Sequence, residues 1–338
     1  MILRVCILGA DGPGAAIAGY LAAGGANVTL VTDESQAATI NSKGLLIDSP
    51  REFLLVREGL RATSEPNPAD AFDLAILAGK ASDAAVVLDR SRPLLAGCQA
   101  LVSIQNSVDF DIVRSACRNE CHLLGASVTE FFEWSGEGIV RAQRPTDVDA
   151  YVGTLDDGAE TERIAEAFVA VMVRGGLVAK RADDIRQVIW EKQLQLANAA
   201  CWSVLMLVGN PDLCLADGLA IEEGAAQFVE TAWELLSVYR AMGFEPRDFF
   251  GPRSLLGTIA SAPSREEAAE QVLAAGRRHV AAGLKVRTPL HDDVLQRRKT
   301  QVEALVEPFV REAASRNLSV PLTEAAFRAV KVLERSWR

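Results

Sequence analysis

The sequence predicts an α/β N-terminal domain built on a doubly wound parallel sheet, followed by an all-α C-terminal domain. Three observations carry this. Short β-rich runs alternate with helix-like runs in the first half of the chain. A glycine-rich turn, Gly9-Ala-Asp-Gly-Pro-Gly14, stands between the first such run and the first helix. Beyond Lys180 the apolar spacing becomes helical and stays so. A chain of 338 residues is long enough for two separate cores, and the change of pattern divides it into residues 1–181 and 182–338.

Taken in order, Arg4–Leu8 is a compact apolar strand, Ala15–Ala23 a helix of small residues and Asn27–Thr32 a second strand. Phe53–Val56, Leu74–Ala78 and Ala100–Gln105 are read as further strands of the same sheet. Tyr151–Leu155 and Gly176–Lys180 add two more around the helix Glu160–Val173. Asp184–Leu207 is a long helix whose stretch from Leu194 to Leu207 is apolar on nearly every side, which places it in the core of the second domain. Ile221–Met242 carries Phe228, Val229, Ala232, Trp233, Leu236 and Tyr239 at helical spacing and stops at Gly243. Ser264–Ala282, Asp292–Arg316 and Leu322–Trp337 complete the helical half. The sequence shows no internal repeat or low-complexity segment.

Composition narrows the function. Thirty-five Lys+Arg against 45 Asp+Glu give a formal net charge of −10, the wrong sign for a phosphate-binding face and so against nucleic acid as the main partner. No apolar run reaches the ~20 residues that span a bilayer. The opening Met1–Gly9 reads as a strand rather than a secretion signal, so the six cysteines are expected to be reduced and the protein cytoplasmic. Cys117-x-x-x-Cys121-His122 is the single thiol cluster. It lacks the four ligands of a zinc site and reads as two thiols on one helix face, so no metal is expected. His291-Asp292-Asp293 reads as a helix start with acids at its positive end. The basic runs Arg277-Arg278-His279 and Arg297-Arg298-Lys299 read as solvated faces, and Glu130-Phe-Phe-Glu-Trp134 as a packing segment.

The glycine turn is the chief candidate site. Backbone amides at the start of a helix, with its partial positive charge, hold a pyrophosphate, so Gly9, Ala10, Asp11, Gly12, Pro13 and Gly14 are candidate cofactor-binding residues of a Rossmann-type domain. Gly9 permits the tight turn, Gly14 allows helix and strand to approach, and Pro13 suits the first helical turn. The usual middle glycine is replaced by Asp11. A carboxylate ~5 Å from a phosphate charge is repelled by roughly 3 kcal/mol at an effective dielectric near 20. Either Asp11 swings aside with Gly12 taking up the backbone strain, or cofactor affinity falls. At the end of the second strand Asp33 is placed to bind ribose hydroxyls and to favour NAD over NADP, the nearest base being Lys43; the alternative is that Asp33 caps the next helix.

Several segments, in order and over nearly the whole chain, resemble the ketopantoate reductase (2-dehydropantoate 2-reductase) family: the opening strand–turn–helix, Asn27-Val-Thr-Leu-Val with Ile40-Asn-Ser-Lys-Gly-Leu45, Leu77-Ala-Gly-Lys80-Ala, Ser103-Ile-Gln-Asn106-Ser-Val, Asp184-Ile-Arg-Gln-Val-Ile-Trp190-Glu-Lys192, and Thr288-Pro-Leu-His-Asp-Asp293 running to Thr300-Gln301. The resemblance implies an NAD(P)H-dependent reductase of a 2-oxo acid, with NADP the family's coenzyme. Lys192 would be the general acid, Asn106 would orient the nicotinamide or substrate, and Lys80 would lie beside the cofactor. It also exposes departures. Two substrate-binding asparagines are replaced by Leu196 and Ala200, with Asn198 a substitute if the helix carries a local shift. One turn later stands Trp202, the family serine aligns with Pro289 beside Thr288, and an acidic residue aligns with Gln301. Lost polar partners and an added indole imply a bulkier or more apolar carbonyl than ketopantoate. Two other readings remain: a catalytically silent dinucleotide sensor, and an opine-type dehydrogenase on the same scaffold. The expected partner is a small carbonyl or hydroxy-acid substrate, and a homodimer is compatible with the sequence.

Overall fold

A computed structural model describes the chain except Met1, Arg338 and residues 68–69, 118–120, 130, 144–145, 208–209 and 252–253. Its contacts divide it into two compact units, Met1–Ile189 and Trp190–Arg338. The first is a Rossmann-type α/β unit and the second is all-helical. The division falls inside a helix, after Ile189, rather than at 181/182 where the sequence pattern changes.

The first unit runs β1 (Arg4–Leu8), α1 (Gly12–Ala23), β2 (Asn27–Val31), α2 (Glu34–Lys43), β3 (Leu45–Asp48), β4 (Phe53–Val56), β5 (Leu60–Thr63), β6 (Leu74–Leu77), a 3-10 turn at Ala81–Asp83, α3 (Ala84–Leu95), β7 (Ala100–Ser103), α4 (Phe110–Ala116), β8 (His122–Val128), β9 (Phe131–Trp134), β10 (Ile139–Gln143), β11 (Ala150–Thr154), α5 (Ala159–Arg174) and β12 (Ala179–Arg181). The main sheet has the order β12-β11-β8-β7-β6-β1-β2-β5. Its neighbours are parallel except β11 against β8. From β1 the chain winds outward through β2 to β5, then returns to β6 on the other side of β1. The sheet therefore reverses between β1 and β6, where ligands of such sheets bind beyond the strand ends. Leu8 pairs with both Val31 and Leu77, so the turns after β1, β2 and β6 emerge level with one another.

Phe53–Val56 is a strand, but not of this sheet. It forms the edge of a second sheet of order β4-β3-β10-β9, antiparallel to β3. Alternating burial along β3 shows the reason: this sheet buries one face, an arrangement suited to antiparallel pairing. That face covers α1, whose other side lies on the main sheet, and a helix covered on both sides must be apolar and slim all round. A Cβ on Gly19 would lie 2.9 Å from Ile47 Cδ1, and one on Gly12 would lie 2.0 Å from the Phe132 carbonyl oxygen. Phe132 and Trp134 of the 130–134 segment pack into this core; Glu130 lies outside the described residues. Cys117 ends α4 with extended backbone, and Cys121 directly precedes β8. The expectation of two thiols on one helix face is therefore corrected.

The second unit consists of α6 (Ile185–Leu207) from Trp190 onward, α7 (Leu215–Leu219), α8 (Glu222–Ala241), α9 (Leu256–Ser261), α10 (Arg265–Ala281), α11 (Pro289–Leu295), α12 (Val302–Leu305), α13 (Glu307–Ser315) and α14 (Pro321–Ser336). Trp202, Leu235, Tyr239 and Phe309 are fully buried in it. Asp292–Arg316, read as one helix, is three. Arg297 adopts a positive φ of 52° that ends the first, and Pro308 opens the last. Among the described residues no helix is long and apolar enough to cross a membrane, and no group of three or more His, Cys, Asp or Glu is placed to hold a metal ion.

Candidate active site

The glycine turn sits where the sheet reverses. Gly9 has φ 110° and its amide donates to Val31 O (3.3 Å). Gly14 passes so close to Gly9 that a Cβ there would lie 2.1 Å from Gly9 O. Helix α1 begins at Gly12 with Pro13 in its first turn, and Asp11 is its N-cap: Asp11 Oδ1 accepts a hydrogen bond from the Gly14 amide at 3.0 Å. Burial of the carboxylate raises its pKa, and the backbone amides of Gly14 and Gly79 partly offset this. Of the two outcomes expected for Asp11, the carboxylate does turn, but onto the helix start rather than away from it. Gly12 absorbs no backbone strain; it is helical, and its missing side chain makes room for β9.

Two neighbouring turns complete the rim. Gln105, buried just after β7, donates through Nε2 to the carbonyls of Ala78 (3.2 Å), Gly79 (3.3 Å) and Lys80 (3.1 Å), fixing the turn after β6. Lys80 and Asn106 are exposed on these two turns. On the other side, Gln36 Nε2 donates to Ala10 O at 2.9 Å. Asp33 is exposed and N-caps α2, accepting from the Gln36 amide at 2.9 Å. The cap takes one carboxylate oxygen, Oδ1. Thus Gly9–Gly14, Asp33, Lys80 and Asn106 share the carboxyl ends of adjacent strands, while Gln36 and Gln105, which sequence reasoning missed, hold them there. No spacing rule flags such glutamines, because their partners are carbonyls on other turns.

In the second unit Lys192 is half-buried on α6, and its neighbours are locked. Trp190 meets Phe309 edge-on at 5.3 Å. Glu191 is fully buried and accepts the amides of Arg247 (2.9 Å) and Phe249 (2.8 Å), with the Tyr239 hydroxyl at 3.4 Å. Gln193 donates to Ala304 O (2.6 Å) and Leu305 O (2.9 Å). These anchors set the rotation of the helix and leave Lys192, Gln195, Leu196 and Ala199 along one half-buried stripe.

The remaining candidates of this unit lie on α6 and at or between α11 and α12. Helix α6 is continuous with no local shift, so Asn198, six residues on, projects about 120° around the axis from Lys192 and is buried. Its Oδ1 has no hydrogen-bond partner among the described residues. Trp202 is fully buried, meets Phe228 edge-on at 5.8 Å and donates Nε1–H to Gly224 O at 2.7 Å. Thr288 spends its hydroxyl on the N-cap of α11, accepting from the His291 amide at 3.2 Å, and on Ser203 Oγ at 2.8 Å. Pro289 opens α11, and Gln301 is half-buried just before α12.

A doubly wound sheet with its glycine turn at the reversal point, joined to an all-helical unit, defines the class as two-domain proteins of the dinucleotide-binding type. Family models agree. The model described as ketopantoate reductase PanE/ApbA matches residues 5–157, and its C-terminal counterpart matches residues 184–334. The chain therefore belongs to the ketopantoate reductase family. Solved structures share its fold over nearly its full length. A PanE/ApbA family ketopantoate reductase from Ralstonia eutropha is similar at TM-score 0.76 and 20% identity, covering 99% of both chains. A 2-dehydropantoate 2-reductase from Methylococcus capsulatus gives 0.75 and 19%, covering 99% of this chain and 98% of that one. A D-mandelate dehydrogenase, solved with NADH and anilino(oxo)acetate, gives 0.74 and 17%, covering 99% of both. No curated protein matches in sequence.

Proposed function

We propose that this protein is an NAD(P)H-dependent reductase of 2-oxo acids or related ketones with apolar side chains, and that Lys192 is its general acid. The observation that carries the reading is the anchoring of α6 by Trp190, Glu191 and Gln193, which holds Lys192 on the half-buried stripe of that helix. The glycine turn fits a dinucleotide: it lies at the sheet reversal, Gly9 and Gly14 let backbone approach backbone, and amides of the first turn of α1 face the same end. Gly9, Ala10, Gly12, Pro13 and Gly14 would hold the pyrophosphate, with Lys80 and Asn106 on the flanking turns. When bound, the nicotinamide supplies the hydride that reduces the carbonyl carbon. Lys192 Nζ donates a proton to the carbonyl oxygen as negative charge develops there, and regains it from solvent. Leu196 and Ala199 beside Lys192 offer the substrate apolar surface, and Gln195 offers the stripe an amide. The D-mandelate dehydrogenase of the same fold, whose 2-hydroxy acid carries an aromatic group, is consistent with this class. Exposed Asp33 favours NADH, whose ribose hydroxyls can donate to a carboxylate, over the extra phosphate of NADPH.

The test is turnover of NADH and NADPH against a panel of 2-oxo acids from pyruvate to branched and aromatic members. Oxidation of coenzyme, fastest with the apolar members, is expected. A second reading, a dinucleotide binder without turnover, is favoured by one observation: the Asp11 carboxylate lies on the amide that a phosphate would use. Coenzyme binding with no oxidation across the panel would establish that reading instead.

A further inference from the structure

We propose that Asp11 is a built-in anionic competitor for the coenzyme pyrophosphate, so that this chain binds its dinucleotide with uptake of a proton. The inference rests on the coenzyme reading of the glycine turn and concerns what that turn demands of its ligand. Asp11 Oδ1 already accepts the Gly14 amide at 3.0 Å, one of the unpaired donors at the head of α1 that would otherwise face a phosphate oxygen. An incoming phosphate therefore meets both an occupied donor and a like charge.

The backbone has nowhere to retreat. A side-chain carbon on Gly12 would lie 2.0 Å from Phe132 O and 2.9 Å from the Glu133 amide nitrogen, so β9 abuts the start of α1. A carbon on Gly14 would lie 2.1 Å from Gly9 O and 3.0 Å from Ala78 Cβ, which closes the other side. The turn after β6, which brings the Gly79 amide to Asp11, is itself held by three hydrogen bonds from Gln105. The conflict must be resolved in the Asp11 side chain. A rotated carboxylate loses its cap and keeps its repulsion, whereas a carboxylic acid loses the charge and gains an O–H that donates to a phosphate oxygen. Burial already tilts the group toward the protonated form. The other charged groups around the turn are Lys80 after β6, Asp33 and Glu34 at the head of α2, and Glu133 on β9. Among the described residues none of them pairs with Asp11. Titration of those groups is common to the wild type and any Asp11 variant, so comparison of the two isolates Asp11.

Calorimetric titration of the full-length protein with NADH and NADPH, from about pH 5.5 to 8.5 and in buffers of different ionisation enthalpy, tests this in the wild type, Asp11→Asn and Asp11→Gly. The wild type should bind more tightly as pH falls and take up protons on binding. Both variants should bind about tenfold more tightly near neutral pH, with a flatter pH profile and less proton uptake. Asp11→Asn keeps an oxygen acceptor for the Gly14 amide, so it reports even if the loss of the cap in Asp11→Gly unfolds α1. Wild-type binding that is independent of pH, with Asp11→Asn no tighter, would overturn the inference and leave the coenzyme reading intact. Failure of wild type and variants alike to bind either coenzyme would overturn both.

Discussion

Glu191 is the anchor whose removal is easiest to quantify. Its carboxylate is buried and accepts two backbone amides, Arg247 and Phe249, at 2.9 and 2.8 Å. Hydrogen bonds to a charged acceptor contribute about 1.5–3 kcal/mol each, so the pair amounts to about 3–6 kcal/mol gross. Burial raises the pKa of Glu191 more than these bonds lower it, so part of the gain is offset by desolvation. The net loss on Glu191→Ala is then about 2–4 kcal/mol. Amide hydrogen exchange reads it locally: Arg247 and Phe249 should exchange on the order of a hundredfold faster. Glu191→Gln retains one carbonyl acceptor and turns an NH2 toward the other amide, so it should lose about half as much. The raised pKa also fixes a sign. The folded state holds the proton to higher pH than the unfolded chain, so this group's contribution declines as pH rises from the unfolded value, about 4.3, through the folded one. Glu191→Gln should lack that slope. Unchanged exchange at both amides in Glu191→Ala, with an unchanged denaturation midpoint, would refute the reasoning.

Three further outcomes follow from the same geometry. Gly12→Ala should destabilise the first unit by about 3 kcal/mol or more, measured by chemical denaturation, because the new methyl meets the backbone of Phe132 rather than a movable side chain. Asp33→Arg should shift coenzyme preference toward NADPH in side-by-side kinetics, since it replaces an exposed carboxylate at the end of β2 with a cation suited to a phosphate. His291 is fully buried in the second unit; burial, reinforced by Arg287 and opposed by Asp292, lowers its pKa below the ordinary value of 6.5. The unfolded chain therefore takes the proton first, and stability should fall as pH drops from about 6.5 through the folded value. Thermal unfolding across that range should show the decline in the wild type and a flatter profile in His291→Leu.

The sequence displayed the elements whose burial is periodic and whose chemistry is local. The alternation from Arg4 to Ser103, the turn Gly9–Gly14 and the long helix ending at Leu207 are of this kind. What it concealed depended on distant partners. Strands β3, β9 and β10 are four or five residues long, and β10 pairs with β3 across about half of the unit's sequence, so no window of sequence contains the reason for the pairing. Strand β8 carries Gly125 mid-run, a poor strand residue, because a Cβ there would lie 2.9 Å from Ile189 Cδ1. Trp202 looked like a pocket residue by position alone; the Gly224 carbonyl that receives its indole N–H, and Gly218 against its ring, are visible only in the folded helices. Asn198 reaches the side of Lys192 only if the helix shifts, and α6 runs unbroken from Ile185 to Leu207.

Turnover depends on a coenzyme at the glycine turn and a proton from Lys192. The most direct test is a single-turnover measurement of coenzyme oxidation by an apolar 2-oxo acid in wild type and Lys192→Ala, with coenzyme affinity measured in parallel. The oxidation rate should fall by about 10²–10⁴-fold in the variant while coenzyme affinity is unchanged. An undiminished oxidation rate in Lys192→Ala would contradict this.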